Sequence, residues 1–344
     1  MRLSKGNSER PRRGGMRHWA KTAWVLLFGM GAAIQEVRSA EARVVSFSGC
    51  CDASAGVALN QELIAVASDE DNLLRVYSRE AGGAPVALLR VGGAGSADPG
   101  KLEMDLEGAA RLGDVVYWIG SHSRNSDGKP RPARETLFAT RITGQGRSAR
   151  LERMGQVYHG LNGALAANPE LKPFQLSRAT TRAGEAQGGL NIEALGDAGG
   201  DALWIGFRNP VPQGRALLVR LENPREVVEG KPPRLGKPVL LPLGGLGLRD
   251  MLRVGEEVLL LAGPAEGGGR HRLFVWAEGA NAPKEIPGAV PKGFQAESIV
   301  AVPGSGNRLV DLLSDDGGEK TRGVRCEDLP NAAQRTFRLV RTAY

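Results

Sequence analysis

Short apolar runs that alternate with polar residues at every second position recur along most of the chain. "LLRVYSR" (Leu73 to Arg79), "TLFATRI" (Thr136 to Ile142), "ALLVRLE" (Ala216 to Glu222), "RLFVWAE" (Arg272 to Glu278) and "TFRLVRT" (Thr336 to Thr342) share this period of two. The pattern predicts half-buried strands. The first four are preceded by the apolar runs "LIAV", "VVYWI", "ALWI" and "VLLL", and each of these closes a unit opened by a polar residue. Aligning Ser54, Glu107, Glu193 and Asp250 brings Ala67, Gly120, Gly206 and Gly263 into register thirteen residues later. A fifth copy begins at Glu297 in "QAESIVAVPGSGNRLVDLLSDDG", with a longer turn.

A further strand leaves each of the first four units, in "PVALLRV", "ARLERMGQV", "KPVLLPL" and "PKEIPGAV". The fifth unit runs out at Tyr344, and "ARVVSFSG" at Ala42 to Gly49 stands alone before the first. Four antiparallel strands per repeat, with the N-terminal strand completing the last sheet, predict an all-β fold, a β-propeller of about five four-stranded blades. Ring closure leaves no open sheet edge. The pattern breaks once, from Tyr158 to Gly189, where helical composition gives way to loop composition. This segment is expected to be an insertion between blades two and three; degenerate strands hidden in it would make six blades.

Composition agrees with many short elements, for the 344 residues include 48 Gly and 20 Pro. The formal charge of +7 sits mostly in residues 1–39, where eight Lys or Arg face two Glu. The remainder is nearly balanced, so it lacks the concentrated basic surface that phosphate neutralisation needs, and nucleic-acid binding is excluded. Residues 1–39 read as a secretory signal: a basic region, the apolar run "AWVLLFGMGAAI" and small residues in "VRSAEA". Cleavage after Ser39 or Ala42 is expected, with an uncleaved anchor as the alternative; the twelve-residue run is short for a membrane span. The mature chain from residue 40 onward is then one periplasmic or secreted propeller domain, a monomer with no stable membrane insertion. In an oxidising compartment Cys326 is expected to bond to either Cys50 or Cys51, which ring closure brings into the same blade.

In a propeller the starts of the innermost strands and the ends of the second strands share one face. That places Asp52, Ser54, Asp105, Glu107, Asn191, Glu193, Arg249, Asp250 and Glu297 near Asp69, His122, Arg124, Arg208 and Asp315. Glu107, Glu193, Asp250 and Glu297 therefore converge. Carboxylates so close raise one another's pKa unless a cation, an arginine, N–H donors or shared protons intervene. One resolution is structural, with each acid capping a neighbouring strand or pairing with Arg111, Arg208 or Arg249. Another is a hard-cation site for Ca²⁺ built from Glu107, Glu193, Asp250 and Glu297. A third is a catalytic carboxylate pair without metal. Trp118 and Trp204, at matching positions, read as packing between blades. His122, Arg124 and Arg208 are the candidates for handling a substrate, against the plainer reading of a surface histidine and two salt-bridging arginines. No serine elbow, zinc spacing or dinucleotide fingerprint is present.

The strings "CDASAGVAL", "ASDEDNLLRVY", "DLEGAARLGDVVYWIGSHSRN", "GLNIEAL", "IGFRNP" and "LGGLGLRDM" together resemble the bacterial domain-of-unknown-function family 3616. The likeness covers essentially everything after the leader. It implies a propeller-like exported protein and carries no reaction with it. Two functional classes follow: a propeller that binds a small molecule, cation or protein ligand at its acid-rich face, and a Ca²⁺-assisted phosphoesterase or esterase working at the same place.

Overall fold

The computed structural model describes residues 43–92, 102–305 and 308–344. The leader expected over residues 1–39 and its cleavage site lie outside them. Strand β1 (Val44–Ser48) comes first in the chain but belongs to the last sheet. Blade 1 is β2 (Ala55–Ala58), β3 (Leu63–Ala67), β4 (Leu73–Ser78) and β5 (Ala87–Arg90). Blade 2 is β6 (Leu106–Leu112), β7 (Val115–Gly120), β8 (Leu137–Thr143) and β9 (Arg150–Tyr158). Blade 3 is β10 (Asn191–Asp197), β11 (Leu203–Asn209), β12 (Ala216–Leu221) and β13 (Leu235–Leu241). Blade 4 is β14 (Gly247–Val254), β15 (Glu257–Gly263), β16 (Arg272–Ala277) and β17 (Lys284–Glu285). Blade 5 takes β18 (Ala296–Ala301) and β19 (Leu309–Ser314). After a small hairpin of β20 (Lys320–Thr321) and β21 (Val324–Arg325), it adds β22 (Thr336–Ala343), on whose outer edge β1 pairs. The five-bladed propeller and its closure by the N-terminal strand are thus as the repeat predicts.

Small residues make the ring possible. The inner strands converge on the axis, each packing on the next and β18 returning to β2, so there is little room for side chains. A Cβ on Gly56 would lie 2.7 Å from Leu313, and one on Gly108 would lie 3.0 Å from the backbone of Leu195. Larger residues fill the widening wedges farther out, and one apolar cluster occupies each gap between neighbouring blades. Trp118 is fully buried between blades 1 and 2, with its indole N–H donated to Thr140 at 2.9 Å. Trp204 meets Trp276 edge-on between blades 3 and 4.

The seam of the ring is stapled. Cys51 is bonded to Cys326 across 275 residues, while Cys50 is free and buried against the Tyr77 hydroxyl. Beside the disulfide, Ala53 N donates to Ser314 O and Asp316 N to Cys51 O, so the start of blade 1 is sewn to blade 5. The buried pair Arg79–Asp311, joined by Arg341, holds the same seam lower down. Between blades 2 and 3 the chain forms α1 (Leu161–Ala167), a 3₁₀ stretch at Pro169–Phe174 and α2 (Leu176–Ala179). Leu161, Leu165, Leu171 and Leu176 anchor these turns on the apolar cluster of the two blades. No helix among the described residues is long and apolar enough to cross a membrane.

Candidate functional site

Every inner strand except β2 carries an extra residue near its start, a β-bulge that lets one side chain turn toward the axis. The pairing shifts between Leu106 and Gly108, Ile192 and Ala194, Leu248 and Asp250, and Ala296 and Ser298. The residues left over are Glu107, Glu193, Arg249 and Glu297. All four line one cavity of about 840 Å³ at the centre of the face, together with Ser54 from the start of blade 1. Twelve carboxylates and five arginines line it, so its formal charge is strongly negative.

Asp250 departs from expectation. The bulge in blade 4 falls on Arg249, and Asp250 therefore turns the other way, into the contact between blades 4 and 5. It is buried and accepts hydrogen bonds from Met251 N at 2.7 Å, Ser298 Oγ at 2.9 Å and Ile299 N at 2.7 Å. Burial raises its carboxyl to about 8 against those donors. It caps a strand and does not line the cavity.

Arginines neutralise one half of the cavity. Arg208 Nη1 donates to Glu193 Oε1 at 2.8 Å, and Arg249 Nη1 reaches Glu193 Oε2 at 2.9 Å and Glu297 Oε1 at 3.0 Å. Arg208 also meets the exposed Glu185 of the insertion at 2.9 Å. Arg111 plays no part, its guanidinium lying on the carbonyls of Ala58 and Leu59. Burial still raises Glu297 to about 7, with Arg249 pulling the other way.

The other half is different. Oxygens of Asp69, Asp105 and Glu107 lie within 4.8 Å of one another. Asp69 stands just past β3 with its N–H on Ser54 Oγ, and Asp105 is held at φ 51°, where aspartate is tolerated at some cost in strain. Asp105 is bound by the Ser121 hydroxyl and by Arg134 at 2.8 Å. Among the described residues no basic side chain pairs with Asp69 or Glu107, and Asp69 Oδ1 is buried without a hydrogen-bond partner. Burial, then the neighbouring acids, pushes both carboxyls well above their ordinary range, while Asp105 rises to about 7. Asp52 and Asp315 adjoin this group; burial and a hydrogen bond to Asp315 take Asp52 to about 11. Three converging carboxylates, an orphaned buried oxygen and suppressed ionisation are what a hard divalent cation relieves, because it supplies the charge that protons otherwise supply.

His122 is not in the cavity. Its ring is buried with Nδ1 on Gly120 O at 2.9 Å, and burial lowers its pKa to about 4. Arg124 is at the cavity wall but is committed to Thr180 O of the insertion and to Gly128 O of its own loop. Of the residues the sequence places on this face, the structure brings Asp52, Ser54, Asp69, Asp105, Glu107, Arg124, Asn191, Glu193, Arg208, Arg249, Glu297 and Asp315 to the cavity and leaves out Asp250 and His122. Asp69 and Asp105 belong with Glu107, and the sequence carries a signal for them: "SDED" closes β3 and Asp105 precedes Glu107 by two.

Residues 130–308 match the family described as "Protein of unknown function (DUF3616)". No curated protein matches the chain. Among solved structures, the glutaminyl cyclase of Myxococcus xanthus is similar at 13% identity and TM-score 0.42, over 88% of this chain and 97% of that one. The PQQ-bound aldose sugar dehydrogenase of Streptomyces coelicolor is similar at 11% identity and TM-score 0.41, over 88% and 99%. Neither likeness bears on reaction or substrate.

Proposed function

For a chain that belongs to the DUF3616 family of proteins of unknown function, we propose that the centre of the propeller face binds a divalent cation, Ca²⁺ by its chemistry, and through it a small oxygen-bearing ligand. The observation that carries this reading is the meeting of Asp69, Asp105 and Glu107 within 4.8 Å, with Asp69 Oδ1 buried and unpartnered. These three would hold the ion. Carboxylate oxygens suit Ca²⁺, which takes about six to eight oxygen ligands and leaves places for a ligand's own oxygens. Bound there, the ion supplies positive charge at the floor of a cavity whose own residues are mostly acidic. Glu193 and Glu297 are left as structural members, since Arg208 and Arg249 already neutralise them.

Binding ranks ahead of hydrolysis. A Ca²⁺-assisted phosphoesterase or esterase asks for a group that positions the substrate or passes it a proton, and of the sequence's three candidates His122 is covered and points elsewhere, Arg124 is bonded to backbone carbonyls and Arg208 to Glu193. The disulfide between Cys51 and Cys326 supports an exported protein, as such bonds persist in oxidising compartments. Isothermal titration of the chelator-treated mature chain tests the reading. Saturable Ca²⁺ binding that Asp105→Asn abolishes is expected; absence of Ca²⁺ heat in the wild type, or an unaltered isotherm in the variant, overturns it.

A further inference from the structure

Beside the acidic cavity lies a pocket of the opposite chemistry. It is a hollow of about 660 Å³ between the insertion and blades 3 and 4, within the range of about 300–1,000 Å³ common among small-ligand sites. Its apolar walls come from Phe174 in the insertion, Pro210 and Pro212 after β11, and Leu246 before β14. Two arginines line it, Arg178 from α2 and Arg182 from the turn that follows. Neither is in an ion pair among the described residues, and the only carboxylate in the lining is Glu266. Most arginines of the neighbouring cavity, by contrast, are spent on carboxylates.

The pocket is separate from the cavity and its wall is fixed. The strap from Ala183 to Gly188 runs between them, held by Asn209 Nδ2, which donates to Gly184 O at 2.9 Å and Ala186 O at 2.7 Å. Arg182 is steadied by one bond, to Gln187 O at 2.7 Å, and keeps its other donors for a ligand. Arg178 lies in α2 and Arg182 in the turns that follow it, closed by Thr181 N on Arg178 O and Arg182 N on Ala179 O, and both residues line the pocket. A planar guanidinium pairs with a carboxylate or sulfonate through two parallel bonds, while an aromatic ring and proline faces take up a flat apolar body.

We propose that this pocket binds a small organic anion with a flat apolar body, an aromatic carboxylate or sulfonate. The anion's charge meets Arg178 and Arg182, and its ring lies against Phe174 and the prolines. The acidic cavity repels the same molecule, so the two hollows divide the face by the sign of charge. This site does not depend on the cation reading, and it is tested with chelator present so that bound metal contributes nothing.

The probe is 1-naphthoate, titrated calorimetrically into the mature chain, with neutral 1-naphthamide as control. Saturable one-to-one binding of naphthoate is expected, with naphthamide weaker by about tenfold or more, the loss of one charge-assisted contact. Arg178→Gln combined with Arg182→Gln should weaken naphthoate by at least the same factor and leave naphthamide unchanged. Phe174→Ala should weaken both. Arg178 is exposed and Arg182 only half-buried, so the charge variant keeps the wild-type melting temperature, which verifies its fold. No saturable naphthoate binding at millimolar concentration, or undiminished binding in the folded double variant, overturns the proposal.

Discussion

Replacing Asp69 by asparagine should stabilise the metal-free protein and make it indifferent to calcium. Its carboxylate shares a space 4.8 Å across with those of Asp105 and Glu107. Two unit charges at that distance repel by about 3.5 kcal/mol at an effective dielectric of about 20, and by about 1 kcal/mol in bulk water. Proton uptake relieves part of this, because burial and the neighbouring acids raise the pKa values of all three. Removing one charge is then worth about 1–3 kcal/mol. Across about 300 ordered residues, an unfolding entropy of about 2.1 cal/mol/K per residue converts this to a rise of about 2–5 °C in Tm. In the wild type, Ca²⁺ at about 100 times its Kd contributes about 2.7 kcal/mol, or about 4 °C. Scanning calorimetry in chelator and in Ca²⁺ reads both numbers. The reasoning is refuted if Asp69→Asn melts lower than wild type in chelator, or if calcium raises its Tm as much as it raises the wild type's.

Two other predictions concern the seam. Replacing Cys51 and Cys326 by serine opens a covalent loop of 275 residues, and loop-closure entropy sets the expected loss at up to about 5 kcal/mol, read from urea midpoints; an unshifted midpoint would show that the ring closes without the staple. Asp52 should make the chelated protein less stable in alkali. Its carboxyl is raised from 3.8 to about 11 by burial and the bond to Asp315. The folded chain therefore keeps a proton that the unfolded chain releases, and this contribution is complete below the unfolded value and drains away as pH climbs toward the folded one. Denaturation between about pH 6 and 9 should show stability falling by up to about 1.4 kcal/mol per unit for one such group. Asp52→Asn should flatten that slope, and a level wild-type profile would contradict the assignment.

The fold was legible in the sequence because each blade repeats the same sequence of short strands, and because "ARVVSFSG" has no other sheet to complete. Which cysteine pairs with Cys326 was not legible, since Cys50 and Cys51 are adjacent and only the direction of each side chain separates them. The chemistry of the face was legible in part. A fixed spacing of thirteen residues selects Asp250 opposite Gly263, yet the bulge opposes Arg249 to the Leu261–Ala262 step, and one residue of shift exchanges the side chain at the axis for the one between blades. The repeat puts Asp69 and Asp105 on the right face but not in the set of axial acids, because they lie outside the bulge positions and reach Glu107 through the end of β3 and the left-handed turn before β6. His122 looked exposed in a polar string, but its positive φ of 57° folds it under the face.

An anomalous difference map from crystals of residues 40–344 grown with Mn²⁺ or a lanthanide in place of Ca²⁺ tests the central claim most directly. The account predicts a single strong peak about 2.0–2.6 Å from oxygens of Asp69, Asp105 and Glu107. A map with no peak there, or with the ion held instead between Glu193 and Glu297, contradicts it.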